Sequence, residues 1–342
     1  MKITTIIISS LLLMFACFNA ASTEEKDTSQ QFLSKDIFDL EFANDPRISP
    51  DGRSIVYVRS SMDIMSDRAR GNLWTINFDG SNHRALLSSR KSYSSPRWSH
   101  DGGRLAYISG AEGSPQLYLR WMDTGQTALL TNLTKSPGSI SWSPDGKWIA
   151  FTMQVSASQK PLASAPAKPE KAKWAPPVKL IDKLVYRVDG AGFLEAGYSH
   201  VFIVSAEGGT PRQLTKGDYN HDGPLSWTPD SKNIVFSANR NEDWEYQPAE
   251  SEIFMLTVSD GTLTQLTTRI GPDSAAVVSP NGRYIAYTGF DDREQGYQLT
   301  YLYVMDIDGK KSRAITTSLD RSVFNPQWAG NNKIFYQYDD HG

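Results

Sequence analysis

One short pattern recurs along this chain and limits what it can fold into. Its clearest copy is Ser141-Trp142-Ser143-Pro144-Asp145-Gly146-Lys147-Trp148-Ile149-Ala150-Phe151. It reads as strand, tight turn, strand. Pro144 fixes φ ahead of the turn, and Gly146 supplies the backbone freedom that a reversal needs. Beyond the turn, Ile149 and Phe151 fall on one face and Ala150 on the other. Near-copies are Ile48-Ser49-Pro50-Asp51-Gly52, Trp98-Ser99-His100-Asp101-Gly102, Trp227-Thr228-Pro229-Asp230-Ser231 and Val278-Ser279-Pro280-Asn281-Gly282. A shorter sixth copy, Trp328-Ala329-Gly330-Asn331, leads into Ile334-Phe335-Tyr336. The turn residues Asp51, Asp101, Asp145, Asp230 and Asn281 lie 50, 44, 85 and 51 residues apart. A period of roughly 40–50 residues with four strands per repeat marks a β-propeller. The 85-residue interval is one repeat plus an insertion.

The second half of each repeat agrees. Leu73-Trp74-Thr75-Ile76 runs into Asp79-Gly80, and Ile253-Phe254-Met255-Leu256 into Asp260-Gly261. A short fourth strand ends near a Leu-Thr pair at Leu130-Thr131, Leu214-Thr215 and Leu266-Thr267. Two hairpins make one four-stranded blade, and a single blade cannot bury both faces, so stacking around an axis is forced. The expected fold is all-β, a propeller of Tol-type or WD40-like repeats over 46–342, after a polar lead-in at 22–45. In that lead-in Ser34 is expected to cap a short helix. Residues 156–199 interrupt blade three, and the part from 156 to 177 is rich in Ala, Pro and Lys, which favours extended chain. Six blades begin, and the last stops after two strands. An open strand edge is unfavourable, so the expected parent is longer.

The first 21 residues read as a targeting leader. Lys2 is followed by an apolar run from Ile3 to Phe18 that is short for a membrane span, and Ala20-Ala21 offer a cleavage site. A membrane anchor and lipidation at Cys17, the only cysteine, are the alternatives. Each reading places the mature chain outside the cytoplasm, as a periplasmic or secreted protein. Net charge is −3 and no basic stripe is present, which argues against a nucleic-acid partner.

Few residues carry obvious chemistry. The histidines at 83, 100, 200, 221 and 341 show no metal-ligand spacing and are expected at turns and surfaces. No metal or other cofactor is implied. No Gly-x-Ser-x-Gly nucleophile elbow occurs, so no catalytic residue is assigned. Trp98, Trp142, Trp227 and Trp328 occupy equivalent places and are expected to pack between blades. The Asp-Gly turns lack the spaced acids of a calcium loop.

These blades, the Pro/Lys-rich interruption, Tyr186-Arg187-Val188-Asp189-Gly190 and the ending Tyr338-Asp339-Asp340-His341-Gly342 together resemble a known family. They are similar to the N-terminal propeller of exported serine peptidases of the prolyl oligopeptidase family, in its acylaminoacyl-peptidase and dipeptidyl-peptidase branch. The resemblance implies a propeller of about seven blades in the parent protein, which caps a C-terminal α/β-hydrolase domain, its partner in the same protein, and admits only short peptides. It also implies a substrate-binding role for the loop carrying Asp243, Trp244, Glu245, Tyr246 and Glu250. In related dipeptidyl peptidases an Asp-Trp-x-Tyr stretch with glutamates holds the free N-terminus of the substrate. The alternative for this loop is a solvated connection anchored by Trp244. The alternative for the whole chain is a stand-alone periplasmic binding propeller like that of the Tol envelope system.

Overall fold

The computed structural model describes residues 32–340, apart from 112, 158–162, 164–165 and 177. The expected leader, Cys17 and His341 lie outside the described residues. The described residues fall into two compact units that divide between Leu40 and Glu41. In the first, a 3₁₀ helix spans Ser34–Asp39. Its N-terminus is closed by the Asp36 carboxylate, which accepts the Leu33 amide at 2.8 Å. Ser34 is therefore already inside the helix rather than its cap. Among the described residues no helix is long and apolar enough to cross a membrane.

The second unit is a β-propeller built from antiparallel sheets. Blade one comprises Glu41–Ile48, Ser54–Asp63, Arg68–Asn77 and Arg84–Leu87. Blade two comprises Tyr93–Trp98, Arg104–Ser109, Gln116–Trp121 and Thr127–Leu129. Blade three comprises Pro137–Trp142, Trp148–Ser156, Gly197–Ser205 and Arg212–Gln213, with the insertion between its second and third strands. Blade four comprises Ser226–Trp227, Asn233–Ala238, Glu252–Thr257 and Leu263–Gln265. Blade five comprises Asp273–Val278, Tyr284–Gly289, Tyr301–Asp306 and Arg313–Ala314. Val323–Trp328 pairs with Ile334–Tyr338 in the sixth sheet. Residues 41–45, assigned from sequence to the lead-in, are strand.

Alternation along the second strands decides where the cores lie. Ile149 and Phe151 join Ala106, Leu117 and Leu119 of blade two, whereas Ala150 joins Ile234 and Phe236 of blade four. Val235 turns the other way, toward Ile285 and Tyr287 of blade five. Each apolar cluster thus sits between two consecutive blades. Polar bonds repeat the same linkage. The indole Nε1 of Trp98 donates to the Arg47 carbonyl at 3.1 Å, Trp142 to Arg97 at 3.0 Å, Trp227 to Ser141 at 3.2 Å and Trp328 to Val277 at 2.9 Å. Blade five carries Val278 in place of Trp, and there the Val278 amide donates to Ser226 Oγ at 3.0 Å. The repeated tryptophans are inter-blade ties.

The turn motif is a hydrogen-bond device as well as a bend. Ser143 is fully buried; its hydroxyl donates to Asp145 Oδ1 at 2.6 Å and accepts the Trp148 amide at 2.9 Å. Ser49, Ser99, Thr228 and Ser279 repeat both contacts. The Ser49 and Thr228 hydroxyls hold the Asp51 and Asp230 carboxyls below the usual aspartate range.

The first strands of successive blades lie beside one another, which puts them nearest the axis. Those of blades one, two, three, five and six each carry a residue with left-handed backbone, namely Asp45 (φ 47°), Ser95 (54°), Ser139 (45°), Ala275 (52°) and Asn325 (51°). The pairing register slips beside them, as in a β-bulge. Ser143→Ala should destabilise the protein by about 1–3 kcal/mol in urea unfolding, because it orphans the Trp148 amide. Asn281→Asp, which restores the commoner turn residue, should stay within about 0.5 kcal/mol.

Candidate functional site

In an antiparallel blade the connections from strand two to three, and from one blade to the next, leave from the same end. That end therefore gathers the described residues of the insertion, the 239–251 loop and the 214–225 connection. The insertion has its own two-residue hairpin, Arg187–Val188 against Gly192–Phe193, with Lys179 Nζ 3.7 Å above the Phe193 ring.

The 239–251 loop is fixed largely by its own side chains. Asn239 Nδ2 donates to the Gln247 carbonyl at 2.8 Å, and Gln247 Nε2 donates to Asp243 Oδ2 at 2.8 Å. Glu250 Oε1 accepts the Gly271 amide at 2.8 Å. Tyr246 is 75% exposed. Glu245 reaches across to the insertion, where Lys183 Nζ lies 2.9 Å from Oε1 and the Leu184 amide donates to Oε2 at 3.1 Å. The Lys183 ammonium sits 5.6 Å and 5.8 Å from the ring centres of Tyr198 and Trp244, which meet edge to face at 6.3 Å. The Tyr198 hydroxyl and the Glu245 carboxylate hold Lys183 well above the usual lysine range. In turn Lys183 holds the Glu245 carboxyl below its usual value.

Beside this pair is a cavity of about 400 Å³, lined among others by Val185, Asn220, Asp222, Trp244 and Glu245. Of the five residues singled out from the sequence, Trp244 and Glu245 face it. Asp243 and Glu250 are engaged in backbone-ordering bonds, and Tyr246 is exposed.

A buried polar layer lies at the same end, and the sequence reading missed it. Third-strand amides at Leu117, Val201, Ile253 and Leu302 donate to the hydroxyls of Thr131, Thr215, Thr267 and Thr316, at 3.1 Å for the first and 2.9 Å for the rest. Three of those hydroxyls meet the residue just before the donor. Thr131 donates to Gln116 Oε1 at 3.1 Å, and Thr267 donates to Glu252 Oε2 at 2.5 Å. Thr215 lies 3.2 Å from His200 Nδ1. The Leu-Thr pairs carried this signal, although the sequence alone did not show their partners.

His200 and His221 are therefore buried, not at turns or surfaces. The His221 amide and Nδ1 both donate to the Ser199 carbonyl, at 2.9 Å and 3.1 Å, while Arg240 donates to Nε2 at 2.6 Å. Burial pulls the His221 ring down to about 4. At the next junction Asp273 is fully buried and pairs with Arg269, whose guanidinium lies 4.0 Å over the Tyr303 ring. A Cβ on Gly289 would fall 2.3 Å from the Pro272 carbonyl beside this pair. Burial pushes Glu252 up to about 7 and Asp273 up to about 6. Among the described residues no cluster of three or more His, Cys, Asp or Glu side chains can hold a metal ion.

Similar proteins share this architecture. Residues 54–161 match the model of the TolB beta propeller domain, and residues 191–291 that of the dipeptidyl peptidase IV N-terminal region. Dipeptidyl-peptidase 5 of Porphyromonas gingivalis is 25% identical over 336 residues, covering 93% of this chain and 48% of that protein. The chain fits the N-terminal propeller of a prolyl oligopeptidase-family peptidase. The uncharacterized peptidase YuxL of Bacillus subtilis is 32% identical over 208 residues, covering 60% of this chain and 31% of its own length. The acylaminoacyl peptidase of Pyrococcus horikoshii has the same propeller fold, with a TM-score of 0.67 at 17% identity over 91% of this chain and 45% of that one. The Tol-Pal system protein TolB of Francisella tularensis is 26% identical over 264 residues, covering 75% of this chain and 58% of the relative. This propeller thus spans about half, or less, of the curated peptidases it matches.

The buried acids of this propeller have a pH consequence. The folded chain holds the Glu252 proton up to about pH 7, whereas the unfolded chain releases it near 4.5. The stability this brings is present below the unfolded value and is lost as pH rises through 7. His221 acts in the opposite sense: folding keeps it neutral, so stability falls as pH drops from 6.5 toward 4. Glu252→Gln copies Gln116 of blade two. It should raise stability at pH 8 relative to pH 5 by about 1 kcal/mol, once solvent screening is allowed for. Thermal melts at the two pH values check this, and an equal effect at both would refute the assignment.

Proposed function

We propose that this chain is the substrate-gating propeller of an exported serine exopeptidase that cleaves short peptides of the dipeptidyl or acylaminoacyl class. The observation that carries the reading is the match to dipeptidyl-peptidase 5 along 93% of the chain. The chain has no Gly-x-Ser-x-Gly, so catalysis would belong to an α/β-hydrolase domain encoded after it. The apolar leader at 1–21 would export the protein.

Within this reading the cavity beside Trp244 receives the peptide's amino terminus. Glu245 supplies the carboxylate, and the ammonium displaces Lys183 Nζ from it. An ammonium replacing an ammonium keeps the charge balance, so the exchange leaves no buried ion unpaired. Tyr198 and Trp244, which already flank Lys183, offer their faces to the incoming cation. Asp243 and Glu250 hold the loop in place for this contact.

The first test is to read the encoding gene beyond the codon for Gly342. A frame of roughly 300 further residues with Gly-x-Ser-x-Gly, then Asp, then His, is expected. An immediate stop overturns the gating reading and favours a stand-alone binding propeller, the reading that the TolB match supports. For the amino-terminal site, dipeptides with a free amine should bind the purified chain at least about tenfold more tightly than their acetylated forms. Glu245→Gln should remove that difference.

A further inference from the structure

The axis of the propeller carries a second cavity, of about 610 Å³, which shares Gly223 with the cavity beside Trp244. Its walls come from the first strands and turns of blades one to three and the connection into blade four. They include Arg47, Arg97, Trp98, His100, Ser139 and Trp142. The two arginines come from equivalent places, each one residue before the end of its first strand. The matching positions in later blades are Ser141, Ser226, Val277 and Gln327, so the positive charge is confined to this side of the axis.

Both guanidinium groups lean on one carboxylate. Arg47 Nη2 lies 2.6 Å from Asp45 Oδ1, and Arg97 Nη1 lies 2.8 Å from Asp45 Oδ2. The same Arg97 nitrogen also donates to the Pro96 carbonyl at 2.7 Å. Arg47 Nε is buried and has no hydrogen-bond partner among the described residues. Burial and the nearby Arg47 charge pull Arg97 below its ordinary value. Two cations sharing one anion at the edge of a cavity leave one positive charge uncompensated and a buried donor unused. The spacing already accepts one oxygen of a carboxylate on each arginine, because Asp45 holds it that way.

We propose that Arg47 and Arg97 form a carboxylate-binding site on the propeller axis, which takes the free C-terminus of a short peptide in competition with Asp45. A guanidinium pair recognises a carboxylate through parallel, charge-assisted N–H···O bonds. The inference goes beyond the gating reading, since it rests on three side chains and a cavity and stands whether or not the chain serves a peptidase. Asp45 is the internal competitor. Its left-handed backbone (φ 47°) is one that asparagine adopts readily, and Asn325 holds the equivalent bulge in blade six with φ 51°. Asp45→Asn therefore keeps the bulge while removing the competing charge.

The test is titration of the full chain with N-acetyl-Ala-Ala-Ala and with its C-terminal amide. It is followed by the fluorescence of Trp98 and Trp142, which line the cavity, and by calorimetry. The acid should bind saturably at one site, and the amide at least about tenfold more weakly. Arg97→Gln should weaken the acid by about tenfold or more, and Asp45→Asn should tighten it by about threefold or more. Equal binding of acid and amide, or an Asp45→Asn variant that binds the acid no better, overturns the site. Inorganic phosphate binding more tightly than the peptide acid would make it a phosphate site and overturn the carboxylate assignment. If Arg97→Gln does not fold, the Asp45→Asn comparison decides alone, since a purely structural ion pair predicts no gain in affinity.

Discussion

No blade of this protein has a core of its own. The second strands of blades two to five send alternate side chains to opposite neighbours, as Ile149 and Phe151 go to blade two and Ala150 to blade four. The hydrophobic contribution, about 25 cal/mol for each Å² of apolar surface removed from water, is therefore realised only when two blades meet. The indole bonds from Trp98, Trp142, Trp227 and Trp328 fix the offset at which they meet. The rest depends on this constraint. It brings the insertion of blade three within reach of the blade-four loop, and it sets Arg47 beside Arg97.

The two ends of the blades differ in how they tolerate change. At the turn end blades one to five share one solution, a hydroxyl buried beneath an Asp or Asn. At the other end the threonine hydroxyl is shared by blades two to five but its partner is not: Gln116, His200 and Glu252 occupy the same place in blades two to four. A hydroxyl both donates and accepts, so it satisfies an amide, an imidazole or a carboxyl without altering the backbone. The blades can therefore carry different ionisable groups next to the loops while keeping one scaffold.

Most of the architecture was legible in the sequence because its determinants are local. Ser-Pro-Asp-Gly fixes a turn within four residues, and alternation fixes the faces of a strand within three. The misses share a physical cause, which is distance along the chain. Glu245 was visible as an acid beside an aromatic, but its partner Lys183 belongs to the insertion. His200 and His221 looked like surface residues because nothing nearby in sequence announces the hydroxyl, the carbonyl or the Arg240 guanidinium that satisfies them. The axial bulges left no sequence mark, since Asp45, Ser95, Ser139, Ala275 and Asn325 have no side-chain chemistry in common. Glu41 to Asp45 read as a polar lead-in, yet Glu41 to Asn44 pair with the second strand of blade one.

The tryptophan bonds also set an order of assembly. Each indole finds its carbonyl in the blade made just before it, so a chain emerging from the ribosome can add blades one at a time. Growth of this kind never needs the two ends of the chain to meet before energy is gained, which lowers the entropy cost of each step. One junction is slower to complete by construction. Trp227 reaches back to Ser141 across the whole insertion, whereas Trp142 reaches Arg97 across a single repeat. Blade three must therefore wait, its first hairpin made and its second still unsynthesised, while the Ala/Pro/Lys segment passes. That segment's polar, proline-rich composition is the kind least able to form wrong strands during the pause.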